Sequence, residues 1–186
     1  MGHVIQLRRE GIRASAPTFI PFLGAVITSR SLGENALAEA RVGLAGPILG
    51  SVGALVALLI YHATGNPMWR ALAFFGFYLN LFNLIPLSPL DGGRAMAAMA
   101  PWMWVIGFAA LAAVAIVFHA PIMILFLILG GWDSWKRWQR RRNGGPEQET
   151  YYRVSPRNRL AVAVVYIGLA ALLVVGLHST YTFRGL

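Results

Sequence analysis

Asn83-Leu84-Ile85-Pro86-Leu87-Ser88-Pro89-Leu90-Asp91-Gly92-Gly93-Arg94 sets a carboxylate, two prolines and a Gly-Gly pair at the end of a long apolar run. Asp91 is the only acid between Glu39 and Asp133. A charge among so many apolar residues is costly at membrane depth, and where such charges occur they usually carry function. The plain alternative is a helix end, with Pro86 and Pro89 breaking one helix and Asp91 capping the next. The rest of the chain has to decide between the two.

Composition points to the membrane. Of 186 residues 57% are hydrophobic and only 12% charged, and the mean hydropathy is +0.59. That is outside the soluble range and predicts an all-α polytopic membrane protein. There is no cysteine, so any metal site must be built from His, Asp or Glu. The net charge of +9 does not indicate nucleic acid, because the basic residues fall between apolar runs.

About five transmembrane helices are expected: Val42 to Ala63, Trp69 to Leu87, Pro101 to Phe118, Ile122 to about Arg142, and Leu160 to His178. A single kinked helix from Pro101 to Gly130 is the alternative for the middle pair. It would be roughly 43 Å long, too long for a ~30 Å core without steep tilt. Ahead of the spans, Met1 to Leu7 resembles the last turns of a helix, with Arg8 and Arg9 at its C-terminal end and Gly11 as a stop. Ser15 to Thr28 carries two prolines and is too broken to span, so it is expected as a short membrane-embedded β-hairpin or re-entrant segment. Glu34 to Arg41 is expected as a separate amphipathic piece at the membrane surface. Gly46, Gly50 and Gly53 lie roughly on one face and would permit close helix contact. The chain divides into a membrane core over residues 1–142, a basic loop over 143–159 and an additional C-terminal helix over 160–186. Arg137, Arg140, Arg141, Arg142, Arg153, Arg157 and Arg159 share one loop, which is therefore expected on the cytoplasmic side. Counting back puts Arg8, Arg9, Arg41, Arg94 and Asp91 on that side too.

His62, His119 and His178 fall at outer span ends and are most simply interfacial. His3 is the one histidine on the same half as Asp91. Three stretches then resemble the site-2 protease family of intramembrane zinc metallopeptidases. Asn83, Pro86, Pro89, Leu90, Asp91, Gly92 and Gly93 match its N-x-x-P-x-x-P-L-D-G-G motif at every defined position. Ala45-Gly46-Pro47 matches its A-G-P signature, and Pro17 to Ala25 resembles its membrane-embedded β segment. The resemblance reaches to about Arg142.

It implies His3 and Asp91 as zinc ligands and Asn83 near the metal. It also implies a strand edge, carrying Phe19, Ile20, Phe22, Leu23 and Gly24, that holds an unwound substrate. The implied activity is cleavage of a single-span membrane protein inside the bilayer by a zinc-activated water, in a multi-pass protein of a prokaryotic cell membrane with its active site toward the cytoplasm. One departure matters. Met1-Gly2-His3 fits only the last three residues of H-E-x-x-H. The other histidine and the general-base glutamate are expected just before Met1, in a chain shortened within the motif. The chain alone is expected to be inactive. A non-catalytic relative that binds membrane partners is the alternative.

Overall fold

The computed structural model describes residues 2–12, 18–20, 24–26, 35–88, 90–99, 103–117, 122–143 and 145–181. These form eight helices and two short strands: α1 (Gly2–Arg9), β1 (Thr18–Ile20), β2 (Gly24–Val26), α2 (Ala36–Thr64), α3 (Pro67–Asn83), α4 (Asp91–Ala98), α5 (Met103–Val117), α6 (Ile122–Asn143), α7 (Pro146–Tyr151) and α8 (Pro156–Thr180). β1 and β2 pair antiparallel, with Thr18 opposite Val26 and Ile20 opposite Gly24.

Local signals explain the ends of the long helices. The Asn35 side chain accepts from the Ala38 N–H at 2.9 Å and starts α2. Gly65, at φ 67°, stops it by taking a left-handed conformation that L residues rarely adopt. Asn66 then caps α3, with Pro67 at the first helical position, where its missing N–H costs nothing. Ser155 and Pro156 open α8 in the same way.

α2 is the central post. It packs against α1, α3, α4 and α8, whereas α5 pairs chiefly with α6. The core lies where α2, α3, α4 and α8 meet, around Ala54, Phe77, Met96, Leu169 and Leu173. Close approach is set by glycines. A Cβ on Gly76 would lie 2.8 Å from that of Ala54, and one on Gly176 would lie 2.6 Å from the Phe77 ring.

Several expectations change. Residues 35–41 are not a separate surface piece, because one unbroken helix of 29 residues runs from Ala36 through Pro47 to Thr64. Its length of roughly 43 Å exceeds a ~30 Å hydrocarbon core, which explains how one helix carries both the charged start and the apolar span. Glu39 is buried at 1% exposure rather than surface-facing. It accepts a 2.7 Å hydrogen bond from the Tyr151 hydroxyl, which ties α7 to α2. The stretch expected as a basic loop over 143–159 accordingly carries a short helix, α7. The last apolar helix begins at Pro156, not Leu160. The middle pair, by contrast, is two separate helices as expected, α5 ending at Val117 and α6 beginning at Ile122, rather than the single-helix alternative.

Among the described residues two helices, α2 and α8, are long and apolar enough to cross a membrane. α3 and α5 have 17 and 15 residues, and the apolar part of α6 is Ile124–Asp133. α2 and α8 expose Leu59, Ile167 and Val175 at 64–68%, surface that suits lipid better than water.

Replacing Tyr151 by phenylalanine removes a partner from a buried carboxylate. It is expected to lower stability by about 1–3 kcal/mol, read as a lower unfolding midpoint in mixed micelles. An unchanged midpoint would mean that α7 does not brace α2.

Candidate metal centre

The site is assembled from the first turns of two short helices resting on α2. The α3 helix ends at Asn83, and residues 84–88 turn tightly toward Leu90, with Leu87 N–H bonded to the Ile85 carbonyl at 2.7 Å and Leu90 N–H to the Leu87 carbonyl at 2.8 Å. α4 then starts with Asp91 as its first residue. Leu90 holds the cap position and makes no side-chain cap bond, so Asp91 is not the capping residue of the plain alternative. Its carboxylate turns across to α1, where Oδ2 lies 3.2 Å from His3 Nε2.

The histidine is fixed from its other side. Nδ1 lies 2.8 Å from the Val42 carbonyl oxygen. A carbonyl only accepts, so Nδ1 carries the proton and donates. In the neutral ring Nε2 is then a bare lone pair facing a carboxylate oxygen. Two acceptors at that distance need a positive centre between them, either a proton on Nε2 or a metal ion. Two ligands of one tetrahedral zinc, each about 2.0–2.2 Å from the ion, lie about 3.3–3.5 Å apart. The pair has nearly that spacing, and a histidine whose second nitrogen is bonded to a backbone carbonyl is the usual metal-ligating form. The donor chemistry therefore fits zinc. Among the described residues no group of three or more His, Cys, Asp or Glu side chains gathers here or elsewhere, so the pair makes two ligands of a site that would need more.

Glycines make the approach possible. The Nε2–Cε1 edge of the His3 ring lies against α2 at Gly46, where any Cβ would clash with both atoms. Gly2 rests on the Ala45 carbonyl just as closely. A Cβ on Gly43 would lie 2.8 Å from the Asp91 carbonyl oxygen and 2.9 Å from Arg94 Cβ, so α4 also needs a glycine on α2. Gly50 faces Asn80 of α3, and Gly53 has open space around it. The expected close helix contact along Gly46, Gly50 and Gly53 is thus corrected: they do not serve one partner. Gly46 serves α1, Gly50 serves α3, and Gly53 serves no neighbour, because successive turns of α2 meet different partners.

The turns before Asp91 are held from every side. Gly92 lies against the Leu84 and Ile85 carbonyls, and Gly93 would place a Cβ 2.5 Å from the Ser88 nitrogen. Gly107 of α5 abuts the Pro86 carbonyl, and Gly130 of α6 abuts the Ser88 carbonyl. The buried Ser88 hydroxyl donates to Asp133 Oδ2, and the Tyr166 hydroxyl donates to the Leu84 carbonyl. Asp133, Tyr166, Gly107 and Gly130 position Asp91 indirectly, and no sequence signal marks them, since each acts through a neighbour remote in the chain.

Asn83 is half-buried at the end of α3, and among the described residues no hydrogen bond joins it to His3 or Asp91. Phe19, Ile20 and Gly24 lie on the paired strands, while Phe22 and Leu23 fall outside the described residues. His62 and His178 are exposed and apart from the pair, and His119 falls outside the described residues.

No family model matches the chain. A zinc metalloprotease of Methanocaldococcus jannaschii is 28% identical to it over 104 residues, which is 53% of this chain. The chain spans only 30% of that protein's length.

Proposed function

We propose that this chain carries part of the catalytic centre of a membrane zinc metalloprotease of the site-2 type. The observation that supports it most is the His3–Asp91 pair, with Nδ1 bonded to Val42 and Nε2 turned to the carboxylate at 3.2 Å. The similarity to a zinc metalloprotease supports the metal and the reaction class. The substrate would be a single-span membrane protein cut within or near the bilayer, in a multi-pass protein with the site toward the cytoplasm.

A zinc bound here would activate a water and polarise the scissile carbonyl. His3 would hold the metal through Nε2, and its Nδ1 bond to Val42 would keep the ring from turning. Asp91 would supply an anionic oxygen from the first turn of α4. The β1–β2 pair could hold an unwound substrate segment by strand addition, because a helical peptide bond has to be unwound before it is cut. Asn83 would meet the substrate or its developing oxyanion.

A catalytic zinc takes three protein ligands plus water. Among the described residues His3 and Asp91 are two, so the 186-residue chain by itself is expected to be inactive. In the family pattern the third ligand and the general base stand within one helical turn ahead of His3. The test is the native protein, read from its gene through any in-frame codons upstream of Met1 and reconstituted in lipid. Chelator-sensitive cleavage of a membrane substrate, reduced at least about 1000-fold by either His3→Ala or Asp91→Asn, is the expected result. Cleavage that survives both variants would refute the assignment. Native protein that binds no zinc would favour the second reading, a non-catalytic membrane-binding relative. The two-ligand count among the described residues is the observation on that side.

A further inference from the structure

A cleft of about 410 Å³ opens between α1, α2 and α8, and neither the metal pair nor the helix packing uses it. Its lining changes character along its length in the same direction on both long helices. On α2, past Leu37, it runs from Arg41 through Leu44 to Ile48, and on α8 from Asn158 through Ala161 to Val165. Both series step by three and then four residues, so each is one continuous helix face. α1 runs the other way and brings Arg9 to the polar end. There Arg41 pairs with Glu10 at 3.6 Å and remains half exposed at 51%. No carboxylate pairs with Arg9 among the described residues. The polar end therefore has two guanidinium groups and one carboxylate beside Leu37; Gln6 lines the α1 wall with its amide donating to Glu10 Oε1 at 2.8 Å, and the remaining lining on α2 and, past Asn158, on α8 is apolar. Ile48 and Val165 are 43% and 44% exposed at the open side. The cleft lies between the two helices long and apolar enough to cross a membrane.

We propose that this cleft binds one anionic phospholipid. The phosphodiester would take Arg9 and the free side of Arg41, with the Asn158 amide as a neutral donor, and an acyl chain would lie along Leu44, Ile48 and Val165. Charge favours a phosphate over a carboxylate-rich peptide, because two forked donors facing one site suit a phosphate's several oxygens. The basic end with an apolar continuation between spans matches how membrane proteins take lipid headgroups. From Arg41 to Ile48 is about 10 Å along the helix, a length that suits part of an acyl chain and no folded peptide. This inference does not rest on zinc or on proteolysis.

The 186-residue chain, purified in non-ionic detergent, is offered an equal mixture of phosphatidylglycerol and phosphatidylcholine, and the retained lipid is weighed by native mass spectrometry. Phosphatidylglycerol is expected to be retained about tenfold over phosphatidylcholine. The double variant Arg9→Gln, Arg41→Gln should lose that preference, and Arg8→Gln, which does not line the cleft, should keep it. Ala161→Trp should lower retention of both lipids without any change in charge. A photoreactive acyl chain on the unaltered protein should crosslink to α2 and α8 at the cleft, a readout that needs no variant. Equal retention of the two lipids, crosslinks confined to other faces, or displacement of the lipid by millimolar inorganic phosphate alone would each overturn the proposal.

Discussion

Leucine at position 46 is expected to cost the native protein at least about 100-fold in zinc affinity while its helix content stays the same. The His3 imidazole occupies the space where a Cβ on Gly46 would stand. The ring cannot retreat by sliding α1, because Gly2 is already against the Ala45 backbone. It cannot simply rotate, because Nδ1 would leave the Val42 carbonyl. The added side chain therefore breaks either the Val42 bond or the approach to Asp91. The comparison is Gly53→Leu on the same helix, where nothing lies within 4 Å and no effect is expected. Zinc competition against a chelator, with far-ultraviolet circular dichroism as the check on folding, decides it. Equal zinc affinity in the Gly46 and Gly53 variants would show that the ring does not depend on this contact.

Valine at position 92 is expected to destabilise the fold by about 3 kcal/mol or more, at the upper end of overpacking costs. The atoms in its way are the Leu84 and Ile85 carbonyls, which are backbone and have no rotamer to change. That backbone has nowhere to move, since Gly107 and Gly130 press on the neighbouring carbonyls from α5 and α6 and Tyr166 holds the Leu84 carbonyl from α8. The strain would have to spread through four helices. The unfolding midpoint in mixed micelles should fall, and the His3–Asp91 approach should be lost with it. A variant as stable as the parent would mean that residues 84–88 are free to yield.

Much of the helix plan was readable because its signals are local. Gly65-Asn66-Pro67 ends one helix and starts the next by its own chemistry, and α5 and α6 are separate helices, ending at Val117 and starting at Ile122, as the local sequence leads one to expect. The pairing of His3 with Asp91 was readable only through the resemblance, since nothing near either residue names the other. The burial of Glu39 was not readable, because its partner Tyr151 is more than a hundred residues away. Nor was the division of labour among the glycines of α2. A helical repeat tells which residues share a face, but not which neighbour each turn of that face will meet. Five apolar runs do not become five long helices, because α3 stops at Asn83 and α5 runs only from Met103 to Val117, pieces shorter than the hydrophobic stretch suggests.

The contact between α1 and α4 joins positions about 90 residues apart. An ion held by both would act as a staple across almost half of the chain. It would bind only after α2, α3 and α4 had come together, and it would shrink the unfolded ensemble much as a long-range crosslink does, an effect of about 4–5 kcal/mol for a disulfide closing a loop of that size. Metal retention would then report complete assembly, so that a chain stalled at any earlier stage of folding would carry no reactive centre into the membrane.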